Sequence, residues 1–191
     1  MNVLKPLTVL LILTTLVACN NAITPQGNTP AYALELVEES FNRRGLYLLD
    51  GLLSDDFVFY FDPNDVGTPV GDYEIPESWD REDFTTTCEN MFLEADLLEI
   101  NFNTTDVSDP EEGTTYILKD VPMTLLVMVT PAGGYYAEGL CDFGFANDTF
   151  GGYDNWVVSE RLDFTASSYF VNASNKPVER SLGYIIAIYY G

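Results

Sequence analysis

The sequence predicts an α+β domain in which helices come first and an antiparallel sheet follows. Two patterns carry that prediction. In the first part of the chain apolar residues recur three and four positions apart, whereas from Leu98 onward they alternate with polar ones. Composition supplies the third observation: 191 residues, 47% hydrophobic and 14% aromatic, suffice for one cored domain despite a formal net charge of −22.

Thr29 before Pro30 provides a cap and a first turn, and Leu34, Val37 and Phe41 share the apolar face of a helix that Gly45 stops. Leu46, Leu49, Leu52 and Leu53 predict a short second helix. It leads through Ser54-Asp55-Asp56 into the strand Phe57-Val58-Phe59-Tyr60-Phe61. Proline and glycine in residues 62–76 predict a long loop. Asp80 then caps a third helix with Phe84, Cys88, Met91 and Phe92 on one face. Leu98, Ile100 and Phe102 begin the alternating half, which continues through Leu125, Val127 and Val129, with Pro122 marking a bend or bulge. Pro131-Ala132-Gly133-Gly134 turns the chain. Residues 135–147 and 156–164 form further strands, and a terminal strand over 178–190 follows a turn at 172–177. Asp62-Pro63-Asn64-Asp65 and Asp109-Pro110-Glu111-Glu112-Gly113 are turn sequences, and neither has the spacing of an EF-hand loop.

The N-terminus reads as an export signal. Lys5 is the sole charge before an apolar run from Leu7 to Val17, too short for the roughly 20 residues that span a bilayer. The run ends in Leu16-Val17-Ala18-Cys19, which resembles a bacterial lipobox. Residues 1–18 are then a signal peptide, residues 19–30 an uncharged tether lipidated at Cys19, and residues 31–191 the domain. The membrane is the first expected partner, through that anchor. Asn20 in place of Asp favours the outer membrane. The alternative is ordinary secretory cleavage, in a chain whose Asn103-Thr104-Thr105 and Asn147-Asp148-Thr149 are glycan acceptors.

Absent residue types exclude several functions. With no histidine there is no Ser/His or Cys/His nucleophile and no imidazole metal site. Eight basic residues against 30 acidic ones exclude nucleic acid as a partner. No metal or cofactor is expected. Acidity of this order serves solubility and a solvated surface. Cys88 and Cys141 remain as a pair in a compartment that permits disulfides, and are either bridged or two buried thiols.

The order of helix, Leu-rich helix, Leu52-to-Phe61 strand, aromatic-led helix at Trp79 and long strands resembles the nuclear transport factor 2-like superfamily, which includes SnoaL-like and ketosteroid-isomerase-like proteins. Asn155-Trp156-Val157-Val158, ending at Asp163, is similar to the closing strand of that superfamily, with Arg161 where its second aromatic residue stands. The resemblance covers about residues 31–164 and implies a cone of curved sheet closed by three helices, with a pocket inside. Its dehydratase-type site needs histidine and is impossible here. An isomerase-type site needs a desolvated carboxylate base and a tyrosine or protonated acid as donor. Tyr60, Tyr136, Glu138 and Asp142 supply the types. Glu138 and Asp142 share one strand face with Tyr136 and Leu140, either concave, where a carboxylate acts as base, or convex, where both are solvated. Phe57, Phe59, Phe61, Trp79 and Trp156 line a cavity or fill a core. Three functions follow: a non-enzymatic, lipid-anchored envelope protein with a pocket for a small apolar ligand; a cofactor-free isomerase-type enzyme; or an accessory subunit, dimeric through an outer sheet face that bears Tyr184 and Tyr189.

Overall fold

The computed structural model describes residues 29–104, 115–129, 133–147, 155–171, 176–177 and 181–191, with backbone alone for 162–171 and 176–177. The segment expected to be a signal peptide, Cys19 as the expected lipidation site, most of the expected tether and the expected turn at 109–113 lie outside these residues, as do parts of the expected turns at 131–134 and 172–177.

Three helices and a strand open the fold in the expected order, with a small hairpin among them. Helix α1 (Pro30–Asn42) starts where Thr29 Oγ1 accepts the Tyr32 N–H at 3.1 Å, with proline in the first turn. Helix α2 (Leu46–Leu52) runs directly into β1 (Leu53–Tyr60). The segment expected as a loop contains a hairpin, β2 (Pro69–Val70) and β3 (Tyr73–Glu74), entered through a turn in which Asp62 Oδ1 accepts the Asn64 N–H at 2.8 Å. Strand β4 (Ser78–Asp80) precedes α3 (Arg81–Glu94), which Asp80 caps by accepting the Asp83 N–H at 3.0 Å.

The sheet is built from β5 (Leu97–Phe102), β6 (Thr115–Val129), β7 (Gly133–Asn147) and β8 (Trp156–Val171), a meander that β1 and β4 extend. Its order is β4-β1-β8-β7-β6-β5, with β9 (Lys176–Pro177) on the far half of β8. All pairings are antiparallel except β1 with β8. Its inner face carries Phe57, Phe59, Leu98, Ile100, Phe102, Met123, Leu125, Val127, Cys141 and Phe143, all buried. Phe84 of α3 packs on Phe57 and Phe59, and Phe92 meets Phe41 of α1 edge to face at 5.3 Å.

Two of the register shifts in the sheet bear on the side chains discussed below. In β6 the ladder with β7 shifts between Leu118 and Val121. Asp120 sits there at φ 53°, its N–H donating to Asp142 Oδ1 at 2.8 Å. Pro122 therefore stands just past the bulge rather than in it. Its carbonyl accepts the Asn103 N–H at 2.9 Å where β5 ends, so its missing donor falls at the end of the neighbouring strand. In β8 the ladder shifts at Ser159, since Phe145 pairs with Val158 but Gly144 pairs with Glu160.

Helix α1 lies along the outer side of β5. The Asn42 amide accepts the Ile100 N–H at 2.7 Å and donates to the Ile100 carbonyl at 3.0 Å. One turn earlier on the same helix face, Glu38 accepts the Phe102 N–H at 2.9 Å.

The C-terminal segment corrects the sequence reading. Instead of a strand, residues 182–187 form α4 (Leu182–Ala187), with Ser181 Oγ accepting the Tyr184 N–H at 3.0 Å. Leu182, Ile185 and Ile186 follow helical spacing and are fully buried. An unbroken apolar run is compatible with either element, and the capping serine decides it locally. Tyr189 is buried and Tyr184 half-buried against this core, so neither belongs to an exposed outer sheet face. The tail is tied down at several points: the Ser181 N–H donates to buried Asp65 at 3.1 Å, Asn90 donates to the Tyr189 carbonyl at 3.1 Å, and Tyr190 stacks on Tyr73 and Trp79 at 4.1 and 5.3 Å.

Candidate functional site

The inner face of the sheet carries one charge among the described residues. Arg161 is 4% exposed. It pairs in register with Phe59 of β1 on one side and Phe143 of β7 on the other. Had β8 alternated strictly from buried Val158, Glu160 would point inward and Arg161 outward; the shift at Ser159 reverses that parity. The guanidinium carbon lies 5.3 Å from the Phe59 ring centre and 5.5 Å from that of Phe143. Nη2 donates to Met123 Sδ and Cys141 Sγ, both at 3.4 Å, and the buried Nε has no acceptor. None of the ion pairs among the described residues involves this group. A buried guanidinium with no carboxylate beside it is costly to keep in a core.

The residues expected to form a pocket do not converge. Trp79 is 1% exposed in an aromatic cluster, where its Nε1 donates to Tyr73 Oη at 2.7 Å and its ring meets Phe61 edge to face at 4.6 Å. Trp156 is buried at the start of β8, opposite Asn147, and Tyr60 is half-buried on the face of β1 opposite Phe59. Tyr136, Glu138 and Asp142 lie on the outer face of β7. There Tyr136 Oη donates to Glu138 Oε2 at 3.2 Å, and Asp142 holds the β6 bulge. Tyr136 borders an open groove of about 530 Å³ with Glu38, Glu99 and Thr124, and Glu138 borders an adjoining one of about 420 Å³ with Asn101 and Leu140. Glu138 and Asp142 thus lie on the face of β7 opposite buried Cys141 and Phe143.

Known structures share this arrangement. A conserved protein from Planctomyces limnophilus aligns with 70% of the chain and 90% of its own, at 16% identity and a TM-score of 0.54. A candidate scytalone dehydratase from Novosphingobium aromaticivorans aligns with 78% of the chain and 89% of its own, at 12% identity and a TM-score of 0.52. The fold is nuclear transport factor 2-like. At such identities the likeness is one of fold alone. No protein-family model matches the sequence, nor does any curated protein.

Within this nuclear transport factor 2-like cone, Cys88 and Cys141 are both buried and no disulfide joins them. Burial pushes the Cys88 thiol far above its ordinary value, and the nearby Arg161 charge only partly opposes it. In the sequence, Arg161 stands out only as the basic residue of Trp156-Val157-Val158-Ser159-Glu160-Arg161, and the fold buries it.

The α4 end of the cone is phenolic. Burial pushes Tyr189 up to about 12, reinforced by Glu94 and Tyr135, and burial likewise raises Tyr135 beside Tyr184. The folded state thus holds the Tyr189 proton more tightly than the unfolded chain, whose tyrosines ionise near 10. The stability this confers is complete below about pH 10 and is lost as pH rises toward 12. Urea midpoints measured across that window are expected to fall, and to fall less steeply in Tyr189→Phe.

Proposed function

We propose that this is a lipid-anchored cell-envelope protein whose cone binds a small molecule and performs no chemistry on it. The placement of the proton-transfer groups supports this reading best. An isomerase-type site needs a carboxylate and a phenol together in a dry interior, yet the only buried carboxylate among the described residues is Asp65, engaged by the Ser181 N–H in the loop beneath α4. Glu138, Asp142 and Tyr136 face outward. The anchor rests on Leu16-Val17-Ala18-Cys19 and the short apolar run before it.

The full chain expressed in a Gram-negative host is expected to incorporate labelled palmitate and to fractionate with the outer membrane. Cys19→Ser is expected to abolish the label. A chain that stays unlabelled and is cleaved at another residue would overturn the anchor.

A further inference from the structure

We propose that Arg161 anchors a ligand site inside the cone, and that the ligand is a small monocarboxylate with an apolar or aromatic body. This deepens the binding function above by naming its chemical class.

The first argument is charge. A buried guanidinium is costly unless an anion and good acceptors surround it. This chain has 30 acidic residues against 8 basic ones, and its exposed Arg43 and half-buried Arg81 each hold carboxylates at 2.9–3.0 Å. Yet the most deeply buried of these arginines has none. The neighbouring Cys88 thiol is held protonated by burial, so it is no counter-ion.

The second argument is hydrogen bonding. Guanidinium offers five N–H donors in a planar fork that matches a carboxylate. The hydrogen bonds of Arg161 go from Nη2 to two sulfurs, which are weak acceptors at 3.4 Å, and Nε is left with none. A carboxylate oxygen is the stronger acceptor for those donors, and Met123 is the kind of side chain that gives way to admit it.

The third argument is the wall. Phe59, Phe143, Met123 and Cys141 surround the charge. They suit an apolar body, and one fixed positive charge neutralises a monoanion but not a phosphate dianion.

The test uses the full chain in a non-ionic detergent, followed by thermal unfolding with benzoate, phenylacetate and hexanoate, each set against its neutral amide. At least one acid is expected to raise the midpoint by about 3 °C or more at saturating concentration while its amide does not. Arg161→Met, which replaces the charge with an apolar chain, is expected to fold with an equal or higher midpoint and to lose the acid-dependent shift. Arg161→Lys keeps the charge without the fork and is expected to retain a smaller shift. The proposal is overturned if no acid exceeds its amide, if Arg161→Met responds as the native chain does, or if both variants unfold, since the charge would then be a structural part of the core. Palmitate labelling reads the anchor separately, so failure of the site and failure of the anchor are distinguishable.

Discussion

Replacing Ile186 by aspartate is expected to unfold the domain. Ile186 is fully buried on α4 together with Leu182 and Ile185, and the helix packs against α3, β7 and β8. A carboxylate there loses its hydration without gaining a cation, at a cost of several kcal/mol. Domains of this size have about 5–15 kcal/mol in total. Ile186→Ala, which only leaves a cavity, is expected to cost about 2–5 kcal/mol. Urea unfolding followed by tryptophan fluorescence measures both. A cooperative transition with an unchanged midpoint in Ile186→Asp would mean that α4 is a detachable cover rather than part of the core.

Trp79→Ala is expected to cost about 3–5 kcal/mol. The indole meets Phe61 edge to face at 4.6 Å, stacks on Tyr190 at 5.3 Å and donates to Tyr73 at 2.7 Å, so truncation removes packing and a buried donor together. It also removes the surface on which the last turn of the chain rests. A double-mutant cycle with Tyr190→Ala is expected to show a coupling of about 0.5–1.5 kcal/mol. Trp156, the other tryptophan, remains as the fluorescent reporter in the variant. Additive losses would show that the Trp79–Tyr190 stack adds nothing and that the tail is held by its other contacts.

What could be read from the sequence was what short-range chemistry decides. Thr29 and Asp80 cap the helices they were expected to cap, because a cap needs only an oxygen three residues from a donor. Leu98, Ile100 and Phe102 alternate because β5 has no bulge, and all three are buried. Inward and outward positions became illegible at the irregularities. A single inserted residue reverses parity, and nothing in Val158-Ser159-Glu160-Arg161 announces that the ladder shifts there. The same limit applies to Glu138 and Asp142, whose face is set by the β6–β7 register. The terminal run 182–190 lacked alternation, so its helix depended on one serine and on a groove that only the assembled sheet supplies.

The pairing of α1 with β5 also bears on how copies of this protein meet. Strand β5 is the last of the sheet on its side, and a terminal strand with free amides invites a stranger's strand to continue the ladder. Here the N–H and C=O of Ile100 and the N–H of Phe102 are already spoken for by Asn42 and Glu38. Intermolecular strand addition at this border would first have to break bonds within the molecule. Molecules crowded in one plane can therefore touch side by side there without fusing into a continuous β-structure, a protection supplied by two polar side chains on one helix turn.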